Sequence, residues 1–149
     1  MTSAWETFQE LVKAEMRKTY SETVVDHAMN PRNMGDIADA DGFAQVTGSC
    51  GDTMKIWIKV ENDTITGATF MTDGCSTTIA AGSITTELAK GKSISQALII
   101  GQQDILNALD GLPDESQHCA LLAENTLKAG IKDYLAFRNE PWKRAYKRY

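Results

Sequence analysis

The feature that most constrains the fold is a stretch in which apolar and polar residues alternate. The alternating residues, apolar first in each pair, are Met54 and Lys55, Ile56 and Trp57, Ile58 and Lys59, and Val60 and Glu61. Successive side chains of a strand point to opposite faces of a sheet, so this pattern predicts a strand with one buried face and with Trp57 on the other. Asn62-Asp63 then predicts a tight turn into a second strand at residues 64–72, which makes a β-hairpin.

A third strand and several helices complete the predicted fold. The segment "FAQVTGSC", residues 43–50, also has the pattern of a strand. After Cys75, the small-residue segment "STTIAAGSITTELAKG" predicts a helix that ends at Gly91. A long last helix is predicted from near Ser116 by an apolar stripe at Ala120, Ala123, Leu127, Ile131 and Tyr134. We therefore predict an α+β fold in which a small three-stranded antiparallel sheet packs against several helices, the last of them long.

Local signals also define the two ends of the chain. Ser3 and Glu6 have the spacing of a capping box, which predicts an N-terminal helix. A second short helix is predicted from about Ser21 to Asn30, because Pro31 disfavours helix in the residue before it. The last residues, "FRNEPWKRAYKRY", are basic and aromatic. The predicted division is a helical extension at residues 1–19, a single domain at 20–136 and a tail at 137–149.

Composition excludes several classes of function. The chain has 149 residues, a net charge of −5 and a hydrophobic fraction of 42%, which is ordinary for one soluble domain. Nucleic acid phosphates need a basic surface, and the net charge of this chain is negative, so we expect no nucleic acid partner. No apolar run approaches the roughly 18 residues that span a membrane, so no membrane partner is expected. The opening "MTSAWETFQE" has no features of a secretion signal, and we expect a reducing, cytoplasmic compartment.

Each of the three cysteines lies where one predicted element gives way to another. Cys50 precedes a strand, Cys75 joins a strand to a helix, and Cys119 opens the last helix. Because a helix N-terminus favours a thiolate, we expect lowered pKa values at Cys75 and Cys119, which suits metal ligands or nucleophiles. The alternative is that the cysteines are small buried apolar residues. Their wide separation in the sequence matches neither a zinc finger nor a ferredoxin, whose ligands come in close pairs.

A metal site would need a fourth ligand, and two residues near the cysteines are candidates. Asp52 follows Cys50 by two positions, and His118 directly precedes Cys119. Neighbouring residues on a helix point about 100° apart, so His118 and Cys119 are expected to reach one metal only if the first helical turn is loose. The alternatives are that Asp52 stabilises a turn and that His118 is a surface residue of the first helical turn. The residues alone predict a Cys₃ metal or sulfur site.

Several segments resemble the iron–sulfur cluster assembly scaffold family, of the IscU type and of the N-terminal domain of NifU. They are "YSETVVDHAMNPRNMG", "SCGDTMKIWIKV", "FMTDGCSTTIAAGS", "ELAKGK" and "HCALLAENTLKAGIKDY", in the order and spacing of that family. The resemblance covers roughly residues 20 to 135. It implies a scaffold rather than an enzyme, with sulfur transfer as an added activity.

The resemblance also implies a site, its cargo and its partners. The implied ligands of a labile [2Fe–2S] cluster are Cys50, Cys75 and Cys119, completed by Asp52 or His118, with Cys119 as the acceptor of persulfide sulfur. The implied partners are a cysteine desulfurase, an iron source with an electron donor protein, and apo-proteins that receive the cluster. Zn²⁺ is a second metal that the same thiolates bind.

One segment departs from the family pattern. Many members carry "LPPVK" before the "HC", where a specialised Hsp70-type chaperone binds, whereas residues 112–116 of this chain read "LPDES". We therefore expect weak binding of such a chaperone. Two alternatives to the scaffold are a zinc-dependent sulfur-transfer protein of the related SufU type and a structural zinc domain. SufU-type proteins carry an insertion before the third cysteine and lack the histidine beside it, while this chain has no obvious insertion and keeps His118.

Overall fold

The computed structural model describes residues 3–140 and Trp142. Three strands form one antiparallel sheet in the order β1-β2-β3, as predicted. Their bounds are β1 Gly42–Thr47, β2 Thr53–Glu61 and β3 Thr64–Thr72. The helices are α1 Ala4–Arg17, α2 Glu22–Met29, α3 Ser76–Ala89, α4 Ile94–Leu98, α5 Gln102–Ala108 and α6 Gln117–Phe137, and a 3₁₀ turn at Asp114–Ser116 leads into α6. The predicted α+β class and the long last helix are confirmed.

The predicted hairpin joins β2 to β3. Asn62 and Asp63 have φ values of 51° and 62°, the left-handed pair that matches a two-residue turn to the twist of the strands. Trp57 lies on the face of the sheet that is turned away from the helices, and its ring centroid is 5.1 Å from that of Phe43 on β1. Trp57, the exception in the alternating pattern, therefore pairs with an aromatic residue of the neighbouring strand.

The inner face of the sheet packs against α3 and α6, and the core lies between these two layers. Met54, Ile56 and Ile58 of β2 are fully buried, as their alternation predicts. The stripe on α6 meets them, with four of its five predicted residues buried: Ala120, Ala123, Leu127 and Ile131. Packing on the same face of the sheet holds α3 and α6 side by side, so the residues of their first turns lie close together.

The N-terminal helix forms as its capping box predicts. The Ser3 side chain accepts a hydrogen bond from the Glu6 amide, and the Glu6 side chain accepts one from the Ser3 amide. The helix packs against α2 and leaves an apolar face exposed at Trp5, Phe8 and Leu11. Of the predicted tail at residues 137–149, all but residues 137–140 and Trp142 lie outside the described residues. Within the described part of the chain, no helix has the length and apolar character needed to cross a membrane.

A glycine in α3 tests how tightly this helix packs on the sheet. A Cβ added to Gly82 would lie 2.6 Å from Cε2 of the buried Phe70 ring. We expect Gly82→Ala to lower the free energy of unfolding by about 2 kcal/mol, because overpacking a core outweighs the gain in helix propensity. Urea denaturation followed by far-UV circular dichroism measures this change.

Gly130 in α6 provides the matched control, since it is also a buried helical glycine. The nearest atoms to a Cβ added there are 3.9 Å away, which is ordinary van der Waals contact. Gly130→Ala is expected to raise the free energy of unfolding by up to about 1 kcal/mol. Equal effects of the two substitutions would contradict the packing argument.

Candidate thiol-rich metal site

Cys50 lies on a tight turn before β2. The Gly51 amide donates a hydrogen bond to the Gly48 carbonyl at 3.0 Å, and the Gly48 amide donates to the Asp52 carbonyl at 2.8 Å. Gly51 has a φ of +91°, in the left-handed region that favours glycine. The turn therefore requires the glycine that follows the cysteine, and it leaves the Cys50 side chain exposed.

Cys75 is the N-cap residue of α3, at the end of the connection from β3. It is exposed, and its sulfur lies 3.2 Å from the Thr77 hydroxyl oxygen. Gly74 before it has a steric role, because a Cβ there would lie 2.6 Å from Cβ of Thr78. The "GC" pair thus places the thiol at the helix N-terminus and leaves room for the Thr78 side chain.

Cys119 lies in the first turn of α6 and is only 2% exposed. Burial raises the pKa of its thiol, and this effect outweighs hydrogen bonds to Thr77 and Thr78, while the charges of Cys75 and Cys50 raise the pKa further. The prediction of a lowered pKa at Cys119 is therefore wrong. The helix N-terminus is there, but the loss of solvent around the sulfur is the larger effect.

The same prediction holds at Cys75, for a more specific reason. Burial acts to raise the pKa of the Cys75 thiol, but the hydrogen-bonding groups of Thr77 and Thr78 around its sulfur together lower the pKa. Two thiols at two helix N-termini therefore have opposite pKa shifts. The difference follows from exposure, since Cys75 is exposed and Cys119 is buried.

Two threonine hydroxyls of α3 connect the candidate ligands. Thr77 Oγ1 is 3.2 Å from Cys75 Sγ and 3.3 Å from Cys119 Sγ. Thr78 Oγ1 is 3.3 Å from Cys119 Sγ, 4.0 Å from Cys75 Sγ and 3.0 Å from Asp52 Oδ2. Neither threonine is predicted as a site residue from the sequence, in which both form part of a small-residue helix. Their positions two and three residues after a helix-capping cysteine are the signal that was available.

Both candidates for a fourth ligand belong to this cluster. Asp52 accepts a hydrogen bond from Thr78 through its side chain, while its main-chain carbonyl closes the Cys50 turn. Its carboxylate therefore faces the thiols, and the turn chemistry resides in the backbone. His118 Nε2 lies 3.7 Å from Cys119 Sγ. These two side chains meet on a regular helix, so the expected loosening of the first turn is not needed for their contact.

The structure brings Cys75, Cys119, Asp52 and His118 together, and Cys50 lies near enough for its charge to affect Cys119. In the described residues, no three side chains of His, Cys, Asp or Glu are close enough to hold a metal ion in this arrangement. Threonine hydroxyls lie between the sulfurs instead. The donor set of three thiols, a carboxylate and an imidazole suits iron–sulfur clusters and zinc.

The fold and the site together define a class, a small α+β protein with a thiol-rich candidate metal site at the junctions between its sheet and its helices. Residues 19–141 match the family model of the NifU-like N terminal domain. The chain belongs to this IscU/NifU N-terminal family of iron–sulfur cluster assembly scaffolds, as the sequence resemblance implied.

Curated relatives agree with this assignment, and a solved structure agrees with the fold. Over 116 residues the chain is 47% identical to the iron–sulfur cluster assembly scaffold protein IscU 1 of Archaeoglobus fulgidus, which covers 77% of this chain and 76% of that protein. It is 44% identical over 124 residues to the scaffold protein IscU of Escherichia coli K12, covering 80% and 96%. The fold matches a nitrogen-fixing NifU-like protein (N-terminal) from Brucella abortus with a TM-score of 0.64 at 18% identity, covering 81% and 97%.

Proposed function

We propose that this protein assembles a labile [2Fe–2S] cluster on Cys50, Cys75 and Cys119 and passes it to apo-proteins. The observation that carries the proposal is the convergence of two thiols and the Asp52 carboxylate on two threonine hydroxyls, with the Cys50 turn beside them. Relatives with 44% and 47% identity that are named iron–sulfur cluster assembly scaffolds support it. Asp52 or His118 completes the ligand set.

This ligand set accounts for a cluster that is held and then released. Stable clusters of this type usually have four thiolates. A carboxylate or an imidazole in the fourth position is a harder ligand than a thiolate and exchanges more readily on iron. Three thiolates with one oxygen or nitrogen ligand therefore suit a cargo that leaves the protein.

The chemistry of assembly defines the partners. A cysteine desulfurase supplies sulfur as persulfide, and each transferred sulfur must accept two electrons to become sulfide. An iron source and an electron donor protein are therefore required, followed by apo-proteins that take the cluster. The three cysteines are free thiols, and we place the protein in a reducing compartment such as the cytoplasm.

The segment before α6 bears on a fifth partner, the Hsp70-type chaperone. Leu112 is buried, while Asp114 and Glu115 are exposed at the positions where the family motif has proline and valine. A groove that recognises "LPPVK" would meet two negative charges in their place. We propose that transfer from this protein depends little on such a chaperone.

Sulfur delivery is expected to label Cys119. We propose that the Cys119 thiolate attacks the outer sulfur of the desulfurase persulfide, so that the desulfurase S–S bond breaks, its cysteine leaves as thiolate and a new S–S bond forms on Cys119. His118 beside it can take up the proton. After incubation with a desulfurase and cysteine, mass spectrometry of peptides should find the added sulfur mainly on Cys119.

Cys50 and Cys75 are the internal controls of this experiment, since both are exposed while Cys119 is buried. Nonspecific transfer would follow exposure and label these two first. Persulfide found mainly on either of them would contradict the assignment of Cys119. Delivery to Cys119 requires the site to open, because its sulfur is covered in this structure.

The proposed function is tested by anaerobic reconstitution with iron, cysteine, a reductant and a desulfurase. We expect a [2Fe–2S] absorption and circular dichroism spectrum, and its loss as an apo-ferredoxin acquires the cluster. The SufU-type alternative predicts a different result, in which the zinc-bound protein stimulates desulfurase turnover and no cluster forms. Bound zinc by itself decides nothing, since the same thiolates bind it.

A further inference from the structure

We propose that the Thr78 hydroxyl acts as a latch that holds the thiol-rich site closed, by tying Asp52 and the Cys50 turn to the start of α3 beside Cys119. The inference concerns the regulation of the site described above and rests on its proposed function. It assigns a positioning role to Thr78, which acts through Asp52. The name "latch" denotes the pair Thr78 and Asp52 from here on.

The hydrogen bonds show how the latch is built. A hydroxyl has one proton to donate, and Thr78 donates it to Asp52 Oδ2 at 3.0 Å. The Thr78 oxygen can then only accept at its 3.3 Å contact with Cys119 Sγ. The Thr78 hydroxyl therefore donates to the Asp52 carboxylate and can only accept at the Cys119 sulfur.

The backbone around the latch holds its two halves in place. Gly74 leaves the space that the Thr78 side chain fills, since an added Cβ would lie 2.7 Å from Thr78 Oγ1. On the other side, the Asp52 carbonyl accepts the Gly48 amide and so anchors the turn that carries Cys50. A hydrogen bond between Thr78 and Asp52 consequently connects α3 to the whole turn.

The arrangement has a direct consequence for entry into the site. Cys119 is 2% exposed, although its two partner cysteines are exposed. In the proposed mechanism, sulfur or metal reaches Cys119 when the turn moves away from α3 and the Thr78 bond to Asp52 breaks. Thr77 contacts both Cys75 and Cys119 but joins no part of the turn, so it does not belong to the latch.

The test uses the metal-free, reduced protein and needs no cluster. Thr78→Val keeps the shape of the side chain and removes its hydroxyl. We expect the rate of iodoacetamide labelling at Cys119, divided by that at Cys50 in the same sample, to rise about tenfold, as loss of one charge-assisted hydrogen bond implies. Hydrogen exchange at the Gly48 amide should accelerate by a similar factor, which reports on the turn independently of thiol reactivity.

Three further variants separate a latch from a general loss of stability. Thr85→Val removes a hydroxyl that is buried in the same helix and has no hydrogen-bond partner, so both readouts should keep their wild-type values. Thr78→Ser restores the hydroxyl and should restore both. Thr77→Val should leave exchange at Gly48 unchanged, because Thr77 has no bond to the turn.

Asp52→Ala removes the other half of the latch from a partly exposed turn, and the same rise in both readouts is expected. An unchanged Cys119 to Cys50 ratio in this variant overturns the proposal, even where Thr78→Val fails to fold. An equal rise in Thr85→Val overturns it as well. Since cluster assembly is scored in a separate reconstitution, a failed latch and a failed scaffold function give different results.

Discussion

Replacing Cys75 with alanine is expected to abolish assembly of a stable [2Fe–2S] cluster, and Cys50→Ala and Cys119→Ala are expected to do the same. Each change leaves two thiolates, while clusters of this type are normally held by four ligands that are mostly thiolates. Anaerobic reconstitution followed by visible absorption measures the loss. The expected effect is complete, which makes it the largest of the predictions.

The fold should survive these substitutions. Cys50 and Cys75 are exposed, so alanine there should leave the free energy of unfolding close to its wild-type value. Cys119 is buried, and its loss is expected to cost about 1 kcal/mol. Ser76→Ala is a matched control, since Ser76 is exposed and follows Cys75 directly, and it should assemble a normal cluster. A triple variant, in which alanine replaces all three cysteines, would falsify the proposed site if it still assembled a normal cluster.

Asp52→Ala is expected to give a cluster that persists longer and transfers more slowly, with His118 in the vacant position. In the proposed site, Asp52 would supply a hard oxygen ligand and a negative charge beside thiolates that are already negative, and both would weaken the bound state. Removing about 1.4 kcal/mol of such destabilisation lengthens the lifetime about tenfold. Decay of the visible circular dichroism signal, with and without apo-ferredoxin, measures lifetime and transfer.

The structure provides a sharper control for this prediction than the sequence did. Asp52 accepts a hydrogen bond from Thr78, so alanine removes both a charge and a structural contact. Asp52→Asn removes the charge and keeps an acceptor of similar shape. A long-lived cluster in both variants assigns the effect to the charge and the ligand. Decay at or above the wild-type rate in both would exclude a role for Asp52 in release, and thermal unfolding of the same variants reports any structural cost.

Most of the fold could be predicted from local patterns in the sequence. The alternation from Met54 to Val60, the Asn62-Asp63 turn and the apolar stripe of α6 each reflect an interaction between residues that are close in the chain or share a face of one element. Such patterns are visible because burial of one face imposes a period of two on a strand and about 3.6 on a helix.

The residues of the candidate site could also be predicted from the sequence, because metal-binding residue types lie at the junctions between elements. The three cysteines, Asp52 and His118 are all predicted from residue type and position in the sequence. Their roles toward a cluster stay predictions, because threonine hydroxyls lie between the Cys75 and Cys119 sulfurs. The direction of each thiol's pKa shift was harder to predict from the sequence, because a helix N-terminus is a local feature and burial is not.

Local sequence patterns predict which elements form, which faces they bury and which side chains can bind a metal. The packing of the elements, in contrast, buries Cys119 and raises its pKa, while it leaves Cys75 exposed with a lowered pKa. It also placed Thr78 between Asp52 and Cys119, residues that lie far from it in the chain. The physical reason is that solvation and hydrogen-bond partners depend on how α3, α6 and the Cys50 turn meet, and no local pattern encodes that meeting.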